Sequence, residues 1–152
     1  MNNEKSPLQL IGWREMVHLP ALGLHDIPAK IDSGARTSSL HGNVLEIIER
    51  DGEKLVRFEV DFDGIKHVCE AIHVDVRGIT SSNGETQRRY IIKTPLRIGE
   101  MEFRAEISLA DRSDMKFPML IGRSSLRRRF AVDSGHSWLQ TPGRKTTKGH
   151  KT

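Results

Sequence analysis

Glycine turns recur through the middle of this chain at a spacing that leaves room only for short strands. Asp51-Gly52, Asp63-Gly64, Ser82-Asn83-Gly84 and Ile98-Gly99-Glu100 each separate two segments rich in alternating apolar residues. Asp-Gly and Asn-Gly pairs favour tight hairpins, whose central residues need positive φ. The segments they join, 44–48, 54–61, 65–76, 87–93 and 101–109, are predicted as antiparallel strands. Such a series predicts an all-β, barrel-like domain. The one convincing helix is short, from Arg123 to about Arg129, and no internal repeat of fixed period stands out.

A chain of 152 residues buries one core and not two. We read residues 10–140 as that domain, 1–9 as a flexible N-terminus and 141–152 as a disordered basic tail. The tail holds Arg144, Lys145, Lys148 and Lys151 and no acid, which accounts for the whole formal charge of +4. Its Thr, Gly and Lys content buries too little apolar surface to fold alone. The rest of the chain is near neutral and poor in aromatics, without a zinc-finger, RNP or basic-helix pattern, so no specific nucleic-acid partner is expected. No membrane partner is expected either, because no apolar run has the length of a span and no signal-peptide core lies near Met1. The single Cys69 excludes an internal disulfide and fits a cytoplasmic setting. It reads as a packed strand thiol, with a catalytic role open because His67 and His73 are close in sequence.

One turn differs from the others in chemistry. Ile27-Pro28-Ala29-Lys30-Ile31 leads directly into Asp32-Ser33-Gly34-Ala35, so a strand delivers a carboxylate into a tight turn. Gly34 allows a close backbone approach, and the Ser33 hydroxyl can hydrogen-bond a carboxylate. Two carboxylates held about 3 Å apart cannot both ionise, so one serves as base and the other as acid toward a water. As a sequence alone, Asp-Ser-Gly is equally a surface turn. A second segment bears on the choice: Phe117-Pro118-Met119-Leu120-Ile121-Gly122-Arg123 reads as an apolar strand ending in glycine.

An Asp-Ser/Thr-Gly turn followed by such a strand resembles one lobe of an aspartic peptidase, in which the two segments cross to form the floor of the site. The resemblance extends over Lys30-Ile31-Asp32-Ser33-Gly34-Ala35-Arg36-Thr37-Ser38-Ser39-Leu40-His41, over Ser81-Ser82-Asn83-Gly84, and over Leu109-Ala110-Asp111-Arg112-Ser113-Asp114-Met115-Lys116 running into the second segment. Together these resemble the family labelled ATP-dependent zinc proteases, retropepsin-like (RimB-like) proteins associated with RimK-type ATP-grasp glutamate ligases. The resemblance covers roughly residues 10–140, and Ala110-Asp111-Arg112-Ser113-Asp114-Met115 is its most specific part. It implies a retropepsin-like closed barrel with one short C-terminal helix and an aspartic peptidase activity. It also implies Asp32 as catalytic acid/base, with Ser33, Gly34 and Thr37 supporting it and Gly122 on the floor. The association with glutamate ligases implies a poly-α-glutamate tail as substrate, such as that on a glutamylated ribosomal protein.

Val132-Asp133-Ser134-Gly135 repeats the first motif, but too little chain follows to build a second lobe. Asp133 is expected to end a C-terminal strand partnered by Trp138-Leu139, at a subunit interface. One catalytic Asp per chain then requires two chains, and a two-fold homodimer brings Asp32 from each to the axis. Where the retroviral pattern has a second Asp after Asp-Thr-Gly-Ala, this chain has Arg36. Lys30, Arg36, Arg88, Arg89, Arg112, Lys116 and Arg123 surround the predicted site elements. Arg88 and Arg89 lie beside a turn that fits a flap. Jointly these cations favour an acidic substrate, with Asp111 and Asp114 available to neutralise part of the cluster.

No metal or cofactor is expected. No His-Glu-x-x-His or Cys-x-x-Cys pair and no Walker loop occurs. The triplet His67, Cys69 and His73 would spread over about 20 Å of strand, and His41 is expected to serve as a hydrogen-bonding support. Three other readings stay open: a non-catalytic module that binds a glutamylated protein or a ligase, a metal-dependent hydrolase, and a ribosome-associated barrel.

Overall fold

Side-chain alternation decides which face of each strand turns inward. In the segment 53–62, Val56, Phe58 and Val60 are buried, and Arg57 and Glu59 between them take the opposite face. The computed structural model describes residues 7–80, 83–112, 116–141 and 147–148. It contains strands β1 (Gln9–Gly12), β2 (Arg14–Leu19), β3 (Leu24–Ile31), β4 (Ser38–His41), β5 (Asn43–Arg50), β6 (Glu53–Phe62) and β7 (Ile65–Thr80). These are followed by β8 (Thr86–Ile98), β9 (Met101–Ala110), β10 (Met119–Ile121), helix α1 (Arg123–Leu126), β11 (Phe130–Asp133), β12 (His136–Ser137) and β13 (Thr147–Lys148). The Ser81-Ser82 and Ser113-Asp114-Met115 parts of the motifs lie outside the described residues, as does the basic tail apart from Thr141 and β13, which pairs with β12.

The strands form the expected all-β barrel. Nine of them follow the order β2-β3-β10-β4-β9-β8-β7-β6-β5, and His18 of β2 also pairs with Arg97 of β8. That second pairing closes β2, β3, β10, β4, β9 and β8 into a six-stranded ring. β7, β6 and β5 continue outward from β8 as a meander. Its turns are set by Asp51-Gly52 and Asp63-Gly64, all four residues having positive φ of 55–79°, the geometry of the tight hairpin turn that matches strand twist. The core gathers Leu19, Ile27, Leu40, Phe58, Ile92, Leu96, Ile107, Met119 and Ile121, all nearly or fully buried.

Two expectations need correction. The helix ends at Leu126 rather than near Arg129. Arg127 is extended (φ −56°, ψ 131°) and Arg128 is left-handed (φ 66°). The break carries Phe130 inward, where it is buried beside Phe103 with ring centroids 6.3 Å apart. The strand ending at Asp133 does not pair with Trp138-Leu139: β11 runs parallel to β1, with Ile11 opposite Val132 and Gly12 opposite Asp133. Residues 136–138 instead run past the start of β2, where Trp13 N donates to His136 O (2.9 Å) and Trp138 N to Arg14 O (3.0 Å).

Glu15 fastens these two ends of the chain together. Its side chain is fully buried and accepts four hydrogen bonds. Gly12 N (2.8 Å) and Leu139 N (2.8 Å) reach Oε2, while Gln140 N (3.0 Å) and the Thr141 hydroxyl (2.7 Å) reach Oε1. A carboxylate this well satisfied tolerates burial, because each lost water contact is replaced.

Candidate active site

β3 and β10 are parallel neighbours with Ile31 opposite Ile121, so the residues that follow them, Asp32 and Gly122, emerge side by side. The Asp32 amide donates to Ile121 O at 2.9 Å. β4 lies on the other side of β10, with Ser39 opposite Leu120. Between β3 and β4 the chain makes the Asp32-Ser33-Gly34 turn, in which Gly34 N donates to Asp32 Oδ1 at 3.0 Å. That bond fixes one carboxylate oxygen and leaves Oδ2 available. Ser33 and Thr37 contribute backbone here: Ser33 O accepts from Arg123 Nη1 at 2.9 Å, and the Thr37 backbone packs on Gly122.

Gly122 sets the thickness of the floor. A Cβ at this position would lie 2.7 Å from Thr37 C and 2.9 Å from Ser38 N, closer than packed atoms allow. Its amide donates to the Ser38 hydroxyl (2.9 Å), which also bonds the Ser125 hydroxyl (3.1 Å). α1 then seizes the rest of the turn, with Arg123 N on Ala35 O (2.7 Å) and Ser124 N on Arg36 O (3.0 Å). The Asp32 loop is therefore held from β10, β4 and α1 at once, which is the preorganisation a catalytic carboxylate requires.

The structure sorts the seven predicted cations. Arg112 is half-buried behind the loop, its Nε on Phe117 O (3.3 Å) and its Nη1 on Ser39 Oγ (3.3 Å). Its amide donates to His41 Nδ1 at 2.8 Å, so His41 is the hydrogen-bonding support expected of it. Continuing the β8–β9 register from Ile91 opposite Ser108 by two residues sets Arg89 beside Ala110, close to Arg112. Burial and the nearby Arg89 charge lower the Arg112 pKa against an upward pull from Asp32, and burial lowers that of Arg89. Both guanidinium groups stay charged at neutral pH, and among the described residues neither has a carboxylate at ion-pair distance. Alternation turns Arg88 to the other face of the hairpin. Lys30, Arg36, Lys116 and Arg123 are exposed.

The hairpin that brings Arg89 to the site is β7–β8. It pairs out to Thr80 opposite Thr86, and Arg77 on its first strand is braced by Glu106 of β9 (3.0 Å) and by Asp75 (3.2 Å).

The second Asp-Ser-Gly turn has the same local geometry in different surroundings. Gly135 N donates to Asp133 Oδ1 at 3.0 Å, and Asp133 Oδ2 meets His136 Nδ1 at 2.8 Å. It follows β11, and β1, which ends in Gly12, runs parallel beside it with Gly12 opposite Asp133; what sets it apart from the Asp32 turn is the His136 ring on its second carboxylate oxygen. Cys69 is buried and burial raises its pKa, which leaves a poor nucleophile. His67 packs near Phe62 and His73 near Tyr90. Among the described residues no three His, Cys, Asp or Glu side chains gather to hold a metal ion, and no helix is long and apolar enough to cross a membrane.

Known proteins resemble this chain in fold and in sequence. The fold matches the crystal structure of a Legionella pneumophila protein of unknown function with a TM-score of 0.77, over 88% of this chain and 98% of that one, at 23% identity. Proteins named "Probable alpha-L-glutamate ligase" are similar in sequence. That of Shewanella pealeana is 38% identical over 133 residues, and that of Desulfotalea psychrophila 37% over 129. The matches cover 85% and 82% of this chain but only 29% and 28% of those proteins. The chain thus spans less than a third of the length of these relatives. Residues 10–143 match the family described as RimB-like, retropepsin-like aspartic endopeptidase RimB. Neither that description nor the relatives' names support the label of an ATP-dependent zinc protease. By the span of that match and the identity of these relatives, the chain belongs to the RimB-like family of retropepsin-like aspartic endopeptidases.

Proposed function

We propose that this protein is an aspartic peptidase that hydrolyses acidic, α-linked polyglutamate tails, working as a homodimer with one Asp32 from each subunit. The observation that carries the reading is the emergence of Asp32 beside Gly122 at the ends of two parallel strands, with its loop clamped on three sides. Of the two Asp-Ser-Gly turns, that of Asp133 has its second carboxylate oxygen on His136, so we take the partner of the dyad to be Asp32 of a second copy. β11 supports a two-fold contact. Among the described residues it is paired along one edge only, and Val132 on it and Leu10 on β1 are exposed.

In the dimer one Asp32 carboxylate takes a proton from a water held between the two. The water attacks the scissile carbonyl while the protonated partner donates to its oxygen. The proton is then passed to the leaving amine, and no covalent intermediate forms. Arg89 on the flap and Arg112 behind the loop give glutamate side chains two charged partners. The relatives' name points to the same substrate, since the product of an α-L-glutamate ligase contains the bonds such a peptidase would cut. A functional link to a RimK-type ligase, a glutamylated ribosomal protein as carrier and a cytoplasmic location belong to this reading.

Hydrolysis of an α-linked oligoglutamate by wild type and Asp32→Asn, with and without a chelator, tests it. Cleavage that resists chelator and disappears in Asp32→Asn is expected. Cleavage abolished by chelator assigns the chemistry to a metal. Tail binding without cleavage in any condition assigns a binding module.

A further inference from the structure

Three arginines follow α1 in succession, and none belongs to the site predicted from sequence. Arg127, Arg128 and Arg129 line, with Ser124, a surface cavity of about 520 Å³. Arg129 is committed to the fold: its guanidinium lies 3.9 Å from the centre of the Phe103 ring, and Nη1 donates to Ser125 O at 3.4 Å. Arg127 and Arg128 are exposed, and among the described residues neither makes an ion pair.

Backbone conformation makes Arg128 the informative one. Its φ is 66°, in the left-handed region that glycine occupies freely and a long side chain does not. Glycine or asparagine would hold this conformation at lower cost, and Arg128 instead brings a guanidinium to the cavity wall. Macrodipole stabilisation accounts for little of it, because the helix has four residues and hence a small dipole.

Backbone hydrogen bonds tie the cavity wall to the catalytic loop. Ser124, one of its walls, donates its amide to Arg36 O at 3.0 Å, and Arg127 N donates to Arg123 O at 3.0 Å. Arg36 and Arg123 flank the Asp32 turn in sequence and are exposed, as Arg127 and Arg128 are. Planar, bidentate guanidinium groups in such a series suit the repeated carboxylates of an acidic peptide.

We propose that Arg127 and Arg128, with Ser124, form an anchoring site for the distal part of an acidic peptide whose proximal part lies at Asp32. The proposal rests on the reading of Asp32 as the peptidase site for such peptides. It adds that tail length is sensed outside the cleft, and that longer polyacidic chains are held preferentially.

Binding to Asp32→Asn protein tests the site without hydrolysis. A trimer and a dodecamer of α-linked glutamate are titrated calorimetrically at one fixed ionic strength, with a single-stranded RNA dodecamer alongside. Wild-type Arg127 and Arg128 are expected to give the glutamate dodecamer at least a tenfold affinity advantage over the trimer. Arg127→Gln/Arg128→Gly is expected to erase that advantage. Arg128→Gly alone is expected to weaken dodecamer binding while raising the melting temperature, a combination that a merely structural arginine does not produce. An undiminished dodecamer preference in the double variant overturns the proposal. So does tighter binding of RNA than of oligoglutamate through the same two arginines. A preference for long oligoglutamate that depends on Arg127 and Arg128 stands even if wild type hydrolyses no peptide, which separates this test from that of the catalytic reading.

Discussion

Gly122 lies against the backbone of Thr37 so closely that one added carbon would sit 2.7 Å from the Thr37 carbonyl carbon. The contact is backbone on backbone, with no flexible side chain to yield. Gly122→Ala must therefore push the Asp32 loop away from β10. We expect a loss of about 2–3 kcal/mol in urea unfolding and at least a hundredfold loss of oligoglutamate hydrolysis. A fully active Gly122→Ala protein would show that the loop is not positioned by this contact.

Glu15→Ala leaves the buried Gly12 amide, the partly buried Leu139 and Gln140 amides and the Thr141 hydroxyl without their acceptor. A cost of at least about 3 kcal/mol follows, which for a chain of this size lowers the melting temperature by roughly 10 °C. Glu15→Gln keeps the shape but turns an NH₂ toward groups that donate, so its melting temperature should fall between those of wild type and Glu15→Ala.

Val132→Asp tests the proposed two-fold contact. Val132 is 38% exposed, so the monomer should fold with unchanged secondary structure. Sedimentation should show a dimer for wild type and a monomer for the variant, with hydrolysis lost alongside. A monomeric variant that remains fully active would sink the shared dyad.

Asp133→Asn separates the two Asp-Ser-Gly turns. Asn keeps an acceptor for Gly135 N and forfeits only a half-exposed pair with His136, an interaction worth about 1 kcal/mol or less. Hydrolysis within about threefold of wild type is expected, against its disappearance in Asp32→Asn.

Glu70 supplies a pH signature on the outer face of the meander. Hydrogen bonds from Arg50 and Arg57, and their charges, lower its pKa from 4.5. A lowered carboxylate contributes stability that is full above the unfolded value and is lost as pH falls through the folded one. Melting temperature should thus decline below about pH 4.5. Glu70→Gln should flatten that decline and high salt should weaken it, since the groups are solvent-exposed.

What could be read from the sequence was local. Asp51-Gly52 and Asp63-Gly64 define their hairpins by themselves, and Asp32-Ser33-Gly34 carries its chemistry within three residues. The partner of β11 was not legible, because β1 has only four residues and lies at the opposite end of the chain. Glu15 reads as an ordinary surface glutamate until residues 139–141 fold onto it. Arg88 and Arg89 are indistinguishable as letters, and register alone decides which one reaches Arg112. The run at Arg127–Arg129 passed for the end of a helix, since only the left-handed turn at Arg128 reveals the break.

The Glu15 anchor also has a consequence in time. Its partner Leu139 lies 124 residues downstream, so at ordinary rates of synthesis the carboxylate waits on the order of ten seconds for it. Until then the first hairpin carries an acid bound for the interior with nothing to receive it. The strands can pair in order, but the Glu15 carboxylate has its full set of donors only once residues 139–141 have left the ribosome.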